Sequence, residues 1–490
     1  MLIGLTTDLA GCDKKEDRAS RSEEPRYEER RAADASPAVA AGERYAEIAE
    51  NQVVSTADAA ISTFAIDVDT ASYSNIRRFL NDGVQPPADA VRIEELVNYF
   101  NYDYPSPTGE VPFSVTSEIA DCPWNSEARL VHIGLQARDL ASDQVPARNL
   151  VFLLDVSGSM ESPDKLPLLR RAMKLMVEGL DADDRVAIVV YAGAAGVVLD
   201  PTSGADQQSI MAALDRLQAG GSTNGGAGIE RAYALARENF KPGAINRVIL
   251  ATDGDFNVGT TSQSDLERLI ERERESGVFL SVLGLGTGNL QDSTMEMLAD
   301  KGNGNYAYLD SIAEARKVLV EEAGGTLVTV AKDVKIQVEF DPKRVASYRL
   351  IGYENRLLDQ RDFEDDRKDA GEIGAGHSVT AMYEIVLADQ AVPSEPVAEL
   401  RLRYKQPSGD QSELITFPIV DPGTKLADSS SDFRFAAAVA EFGMLLRESP
   451  NRGSASWANA KALAEGALGQ DRGGHRQEFL ELLGKAERLD

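Results

Sequence analysis

The sequence predicts an α/β protein whose doubly wound, mostly parallel sheet is inserted in a flanking β-sandwich, with an N-terminal α/β segment and C-terminal helices. The apolar run at 150–154 and the run at 247–251, which is apolar after Arg247, are typical of strands buried on both faces. Amphipathic helical segments alternate with such runs from residue 148 to residue 325, which indicates a doubly wound sheet. Strand-like alternation of apolar and polar residues on both sides of that region predicts the sandwich.

The chain divides into several segments by composition and periodicity. Its 490 residues are too many for one hydrophobic core, and this length suggests about three domains. The predicted segments are a signal remnant with a lipid-attachment motif (1–12), a disordered charged tether (13–44), an N-terminal α/β segment (45–110), a first part of the β-sandwich (111–147), the central α/β domain (148–325), a second part of the β-sandwich (326–430) and a C-terminal helical segment (431–490).

The central domain is predicted to alternate strands and helices along the chain. After the strand that ends at Asp155, apolar residues at helical spacing form one face of a helix: Leu169, Ala172, Met173, Met176 and Leu180. The later strands are predicted at 186–191, 197–199, 247–252, 278–283 and 305–308, and the later helices at 208–217, 229–240, 264–275, 290–300 and 312–322.

The secondary structure of the segments outside the central domain is predicted from their local composition and periodicity. The tether contains almost no apolar side chains, so it cannot bury a core. Residues 64–69 form a predicted strand, and helices are predicted at 72–80 and 93–100. Three helices are predicted in the C-terminal segment, and the first has an apolar stripe of Phe435, Val439, Phe442 and Leu446.

The charge balance restricts the class of partner. Lys and Arg number 51 and Asp and Glu number 80, which gives a formal net charge of −29. The resulting negative potential repels phosphate backbones and anionic lipid headgroups. We therefore expect no nucleic-acid partner. No apolar run of about eighteen residues is present, so the membrane is expected to be contacted through a lipid anchor only.

The two cysteines have separate expected roles. Leu9-Ala10-Gly11-Cys12 matches the bacterial lipobox, in which the cysteine is acylated. The segment before it lacks Lys and Arg and contains Asp8, unlike a signal peptide. Either a start codon lies further upstream or the match is due to chance; we expect the former, with Cys12 lipidated. Cys122 is expected to be a buried small residue, and a Cys12–Cys122 disulfide is the alternative.

Polar residues from three distant places form a candidate metal site. Asp155, Ser157 and Ser159 follow the first apolar run, and Asp253 follows the second. Thr223 lies in a glycine-rich loop between them. Open α/β sheets bind ligands at the carboxyl ends of their strands, where both aspartates are predicted to lie. A hard divalent cation prefers six oxygen ligands, and these side chains supply most of them. One coordination position of the cation stays open.

The pattern Asp-x-Ser-x-Ser, distant Thr, distant Asp resembles the metal-ion-dependent adhesion site of the von Willebrand factor type A (VWA) family. The resemblance implies ligand binding through the metal, without catalysis. It implies that Ser157, Ser159 and Thr223 bind the ion directly, and that Asp155 and Asp253 bind it directly or through water. Mg²⁺ is the expected ion, with Mn²⁺ or Ca²⁺ as alternatives. An Asp or Glu side chain of a partner protein would occupy the open position.

Two further stretches extend the resemblance over most of the chain. Residues 64–73 and Cys122-Pro123-Trp124-Asn125, together with the central domain and the helical C-terminus, resemble the bacterial YfbK-type VWA lipoproteins. That family implies a protein of the bacterial cell envelope. It adds no catalytic residues.

Two enzymatic patterns compete with the adhesion-site interpretation. Asp67-Val68-Asp69 resembles the start of the DxDx(T/V) motif of haloacid-dehalogenase-like phosphatases, but Ala71 stands at the fifth position. The alternative for Asp67 is a strand end beside a capped helix. Gly284-Leu285-Gly286-Thr287-Gly288 imitates a dinucleotide fingerprint without its last glycine.

The sequence therefore predicts a metal-ion-dependent protein-binding module that is not an enzyme. It is expected to be a lipoprotein facing the periplasm, with a partner that exposes an Asp or Glu. A structural scaffold whose metal site is occupied internally is the first alternative. A Mg²⁺-dependent phosphohydrolase using Asp67 and Asp69 is the second.

Overall fold

The computed structural model describes residues 42–222, 224–254, 262–389 and 395–490, which belong to one compact unit. The segment boundaries predicted from the sequence stay a proposed division of this unit. Within the described residues, no helix is both long and apolar enough to cross a membrane.

The first part of the chain contributes strands to two sheets and two helices. In chain order its elements are β1 (Val54–Ser55), β2 (Ile61–Ala65), α1 (Ala71–Asn81), α2 (Ile93–Asn98), β3 (Phe113–Asp121) and β4 (Arg129–Ala137).

The central region is a six-stranded sheet with helices on both faces. Its elements are β5 (Arg148–Asp155), α3 (Leu166–Glu178), β6 (Arg185–Tyr191), β7 (Ala195–Ser203), α4 (Gln207–Asp215), α5 (Gly225–Glu238), β8 (Ile245–Thr252), α6 (Gln263–Arg274), β9 (Phe279–Leu285), α7 (Asp292–Lys301), β10 (Tyr306–Leu309), α8 (Ile312–Arg316) and α9 (Ala323–Leu327). The strand order is β10-β9-β8-β5-β6-β7. All neighbours are parallel except β7, which runs antiparallel to β6 at one edge.

Alternating residues of β5 explain why helices cover both faces of this sheet. Leu150, Phe152 and Leu154 share a core with α3, α4 and α8, whereas Val151 and Leu153 share a second core with α5, α6 and α7. A strand that buries both faces has no polar alternation, and this is the unbroken apolar run seen in the sequence. The doubly wound sheet is therefore confirmed.

The β-sandwich is built from strands on both sides of the central region. Its remaining strands are β11 (Thr329–Phe340), β12 (Val345–Ile351), β13 (Gly371–Gly374), β14 (Ser378–Leu387), β15 (Pro396–Lys405) and β16 (Ser412–Val420). One sheet has the order β1-β12-β14-β4-β3, and the other has the order β13-β11-β15-β16 with β2 also paired to β11. The two sheets bury one shared core. The strands β1 and β2, which the sequence placed in a separate α/β segment, thus belong to the sandwich.

The C-terminal helices are α10 (Ser431–Leu446), α11 (Trp457–Glu465) and α12 (His475–Leu489). The sequence predicted one apolar stripe on α10, but that helix is buried around nearly its whole circumference. The reason is that α2 and α11 both pack against it. Aromatic rings of Phe100, Phe435 and Phe479 meet edge to face in this cluster.

Two helices of the central region differ from their predicted form. A helix was expected after the strand that ends at Asp155, but the chain first makes a 3₁₀ turn at Gly158–Glu161, and α3 begins only at Leu166. Ser162 precedes Pro163 and is extended, as residues before proline tend to be, so the turn cannot continue into a helix. The helix predicted at 312–322 is interrupted after α8 by a π-turn at Lys317–Glu321.

Candidate metal site at the carboxyl edge of the central sheet

The register of two neighbouring strands brings the predicted aspartates together. β5 and β8 are parallel, and Leu154 lies opposite Ala251. Asp155 ends β5, and Asp253 immediately follows β8, so both carboxylates reach the same edge of the sheet. Both residues are fully buried in the chain.

The residues after β5 form a tight loop around Asp155. The Ser157 backbone N–H donates to Asp155 Oδ1 at 2.8 Å, and the Ser157 and Ser159 hydroxyls are hydrogen-bonded at 3.0 Å. The Ser159 hydroxyl also hydrogen-bonds Asp253, which joins the two halves of the site. Ser157 is buried and Ser159 is exposed. Four of the five predicted ligand residues are thus in one cluster.

The fifth predicted ligand, Thr223, lies outside the described residues. The loop before it is described and packs against the serine loop. Gly220 N–H donates to Val156 O at 2.8 Å, and Gly158 N–H donates to Gly221 O at 3.1 Å. Gly221 has a φ of +86°, a left-handed conformation that glycine adopts without strain.

Thr252 orients Asp155 and was not among the predicted site residues. The Thr252 hydroxyl donates to Asp155 Oδ2 at 3.0 Å and accepts from the Gly254 N–H at 2.9 Å. Both oxygens of Asp155 are therefore held by hydrogen bonds from neighbouring loops. The threonine directly precedes Asp253 in the sequence, so its position at the strand end could have indicated this role.

Lys165 and Asn289 hold Asp253, and neither was predicted. Lys165 Nζ lies 3.1 Å from Asp253 Oδ2 and donates to Asn289 Oδ1 at 2.6 Å. The Asn289 amide donates to Asp253 Oδ2 at 2.9 Å. Asn289 follows the glycine-rich stretch 284–288, which begins at the end of β9, and β9 is the parallel neighbour of β8. The position of this stretch beside the end of β8 was the sequence signal that could have indicated Asn289.

The loop at 286–291 is itself held by the start of the described chain. The Glu43 carboxylate accepts from the Gly288 N–H at 2.8 Å and from Arg78 Nη2 at 2.9 Å. The Arg44 N–H donates to Leu290 O at 2.9 Å. Residues 42–44, which the sequence assigned to the tether, therefore lie in direct contact with the loop that carries Asn289.

The electrostatics of the two aspartates differ. Burial raises the pKa of Asp155 to about 6, although hydrogen bonds from Ser157 and Thr252 act in the opposite direction. Burial also raises the pKa of Asp253, but the Asn289 hydrogen bond and the Lys165 charge outweigh it and hold that pKa below its usual value. Both carboxylates are therefore ionised at neutral pH.

The donor set fits a hard cation. Its members are two carboxylates and two hydroxyls, all of them oxygen donors, as Mg²⁺ prefers. Over the described residues, no group of three or more His, Cys, Asp or Glu side chains is arranged to hold a metal ion.

The alternative site at Asp67 and Asp69 has a different environment. Both side chains are buried, and Arg356 pairs with Asp67 Oδ2 at 3.1 Å and with Asp69 Oδ2 at 3.4 Å. Asp69 Oδ1 also accepts from the Tyr306 N–H at 2.7 Å. These contacts connect the sandwich to the central region. The side chain of neither aspartate caps α1, since the residue before that helix is Thr70 and makes no side-chain cap.

Three sequence families match successive parts of the chain. Residues 39–132 match the family described as von Willebrand factor, residues 149–321 match the von Willebrand factor type A domain, and residues 325–489 match the C-terminal domain of the uncharacterized protein YfbK. The type A match covers the doubly wound region from β5 through α8. VWA domains commonly mediate protein–protein interactions.

The chain is also similar to individual proteins and solved structures. The uncharacterized protein YfbK of Escherichia coli K12 is 44% identical over 468 residues, which covers 91% of this chain and 81% of the E. coli protein. A von Willebrand factor type A structure from Catenulispora acidiphila aligns with a TM-score of 0.44 at 18% identity, over 78% of this chain and 91% of that one. BatB of Bacteroides thetaiotaomicron aligns with a TM-score of 0.31 at 23% identity, over 36% of this chain and 97% of BatB. By its identity to the E. coli protein over most of both chains, this chain belongs to the YfbK family of VWA-domain proteins.

Proposed function

We propose that this protein is a metal-ion-dependent binding module of the bacterial cell envelope. A divalent cation, Mg²⁺ in the first place, would be held by Asp155, Ser157, Ser159 and Asp253, with Thr223 as a further ligand. The ion would bind an Asp or Glu side chain of a partner protein. The observation that carries the proposal is the contact of the Ser159 hydroxyl with both Ser157 and Asp253.

The solvent exposure of Ser159 supports binding of an external ligand. Asp155, Asp253 and Ser157 are buried, whereas Ser159 is open to solvent. An ion placed among these oxygens would be enclosed by the buried side chains and accessible to solvent on the side of Ser159. Because most of its ligands are neutral hydroxyls, the ion would keep positive charge and attract a carboxylate. This arrangement suits capture of a partner and does not require a nucleophile or a general base.

Ser157→Ala is expected to weaken Mg²⁺ binding by at least about 100-fold, because it removes a direct oxygen ligand. The fold should persist, since the bond from the Ser157 backbone N–H to Asp155 does not involve the lost hydroxyl. Isothermal titration calorimetry with MgCl₂ measures the affinity, and thermal unfolding checks the fold. Ser276→Ala, between α6 and β9 at the opposite edge of the sheet, is the matched control. Equal Mg²⁺ affinity in Ser157→Ala and wild type would contradict the proposal.

The effect of Asp253→Ala on metal binding is harder to interpret than that of Ser157→Ala, because Asp253→Ala also changes the stability of the fold. The Asp253 carboxylate pairs with Lys165, whose side chain is only 6% exposed. Removing one member of a buried ion pair leaves the other charge without compensation and is strongly destabilising. The same calorimetric comparison is therefore made with Ser157→Ala, and crosslinking in the native envelope with and without this substitution identifies the partner.

We propose that Cys12 anchors the protein to the membrane by lipid. Cys12 and the tether lie outside the described residues, so this proposal rests on the Leu-Ala-Gly-Cys motif. Mass spectrometry of protein purified from its native envelope should show an acyl-modified Cys12 as the first residue. A mature chain that retains residues before Cys12, or an unmodified Cys12, would refute the anchor.

The phosphohydrolase alternative receives no support from its two aspartates. Both carboxylates pair with the Arg356 guanidinium, which follows β12 of the sandwich. A stabilising role for Asp67 and Asp69 accounts for these contacts.

A further inference from the structure

Lys165 places a buried positive charge inside the candidate metal site. Its side chain is 6% exposed, and its ammonium contacts both Asp253 and Asn289. The aliphatic part of the side chain passes under the backbone of Gly286, where an added Cβ would come within 2.1 Å of Lys165 Cε. Gly286 has a φ of +74°. The chain is thus shaped to admit this lysine between the start of α3 and the loop at 286–291.

The lysine changes the charge that a metal ion would meet. Asp155 and Asp253 contribute two negative charges, and Lys165 contributes one positive charge, so the described part of the site has a net charge of −1. The serine hydroxyls are neutral. A divalent cation bound here would therefore retain an excess positive charge. In a buried site that excess is poorly screened, which both weakens the ion's binding and strengthens its attraction for an anion.

We propose, on the basis of the function proposed above, that Lys165 makes cation binding dependent on an anionic ligand. By offsetting Asp253, Lys165 lowers the affinity of the empty site for a divalent cation. A carboxylate from the partner restores charge balance, so ion and carboxylate strengthen each other's binding. Lys165 thereby selects a carboxylate over a neutral oxygen ligand. Since such coupling is reciprocal, it is measurable from the cation side alone.

Lys165→Met tests the first part of the proposal. Methionine keeps an unbranched side chain under Gly286 but removes the charge. We expect Mg²⁺ and Mn²⁺ to bind at least about tenfold more tightly than in wild type, because the electrostatic opposition is gone. Calorimetric titration of the purified chain measures both affinities. Lys174→Met is the matched control, since Lys174 lies on α3, the helix that begins directly after Lys165, and pairs with the exposed Asp215; it should behave as wild type.

A second variant tests the same expectation in case Lys165→Met does not fold. Lys165→Gln also lacks the charge but keeps a polar side chain that can donate a hydrogen bond. It should bind Mg²⁺ more tightly than wild type, as Lys165→Met does. Wild-type affinity or weaker binding in both folded variants would overturn the inference.

Acetate and acetamide test the coupling. At constant ionic strength, acetate should raise the Mn²⁺ affinity of the wild type, and neutral acetamide, of the same size, should not. In Lys165→Met the acetate effect should be smaller than in wild type. An equal acetate effect in both proteins would overturn the selective role of Lys165.

The outcomes separate this inference from the proposed function. If neither wild type nor the Lys165 variants bind Mg²⁺ or Mn²⁺, the metal site itself is refuted and the inference fails with it. If wild type binds Mg²⁺, Ser157→Ala does not, and the Lys165 variants are no tighter than wild type, only the role of Lys165 is refuted.

Discussion

Arg356→Met is expected to destabilise the protein by about 3–5 kcal/mol, because it removes one partner from a buried ion-pair cluster. The Arg356 cluster consists of this guanidinium and four carboxylates, with Arg356 12% exposed. Its nitrogens lie 3.1 Å from Asp67, 3.4 Å from Asp69, 3.7 Å from Glu296 and 2.5 Å from Asp300. Without the guanidinium, these like charges would face one another with little solvent between them.

The electrostatics of Asp69 show why the cluster depends on Arg356. Burial and the neighbouring charge of Asp67 raise the pKa of Asp69 well above its usual value, and the Arg356 charge acts in the opposite direction. The cluster also connects three parts of the fold, because its acids lie after β2 and on α7 while Arg356 follows β12. Loss of the guanidinium should therefore weaken the contact between the sandwich and the central region.

Urea unfolding measures the effect of Arg356→Met. Arg361→Met is the matched control, because Arg361 is 84% exposed and pairs with an exposed Asp359; a change within about 0.5 kcal/mol is expected there. Combining Arg356→Met with Asp300→Asn should recover part of the lost stability, since one repelling charge is removed. Equal unfolding free energies for Arg356→Met and Arg361→Met would contradict the structural role of the cluster.

Acidification from pH 7 to pH 4 is expected to cost the wild type up to about 3 kcal/mol more than the His132→Phe variant. His132 is buried, and its Nε2 lies 2.9 Å from the Tyr104 hydroxyl. Burial lowers the pKa of His132 from 6.5 to about 4, against smaller opposing effects of Glu118 and Asp432. The folded state therefore keeps the imidazole neutral over a range in which the unfolded chain protonates it.

The sign of the effect follows from proton uptake. Above pH 6.5 the imidazole is neutral in both states, and His132 causes no pH dependence. Between pH 6.5 and about pH 4 the unfolded state binds the additional proton, so stability is lost as the pH falls. Other groups titrate alike in both proteins, so the difference between wild type and His132→Phe isolates this contribution.

Urea unfolding at a series of pH values measures that difference. Tyr104→Phe is the control, because it removes the hydroxyl that contacts the imidazole but leaves the titrating group in place. Its pH dependence should remain like that of the wild type. A difference between wild type and His132→Phe that stays constant from pH 7 to pH 4 would show that His132 is not held neutral.

The sequence by itself determined the features that depend on short stretches of chain. The apolar run before Asp155 specified a strand buried on both faces, and the polar residues after it marked the strand end. Parallel strands present their carboxyl ends at one edge, so Asp155 and Asp253 were expected to meet, and the structure places them together. The three C-terminal helices followed from the same kind of local periodicity.

Only the tertiary structure decided which distant side chains form ion pairs with these residues and which helices are fully buried. Lys165 is separated from Asp253 by 88 positions, and Arg356 from Asp67 by 289, so no local pattern could identify either ion pair. The burial of α10 around nearly its whole circumference depends in part on α2, an element distant in the chain that packs against it. Periodicity reports the face that a segment itself prefers to bury, whereas charge pairing and complete burial depend on which distant segments the fold brings into contact.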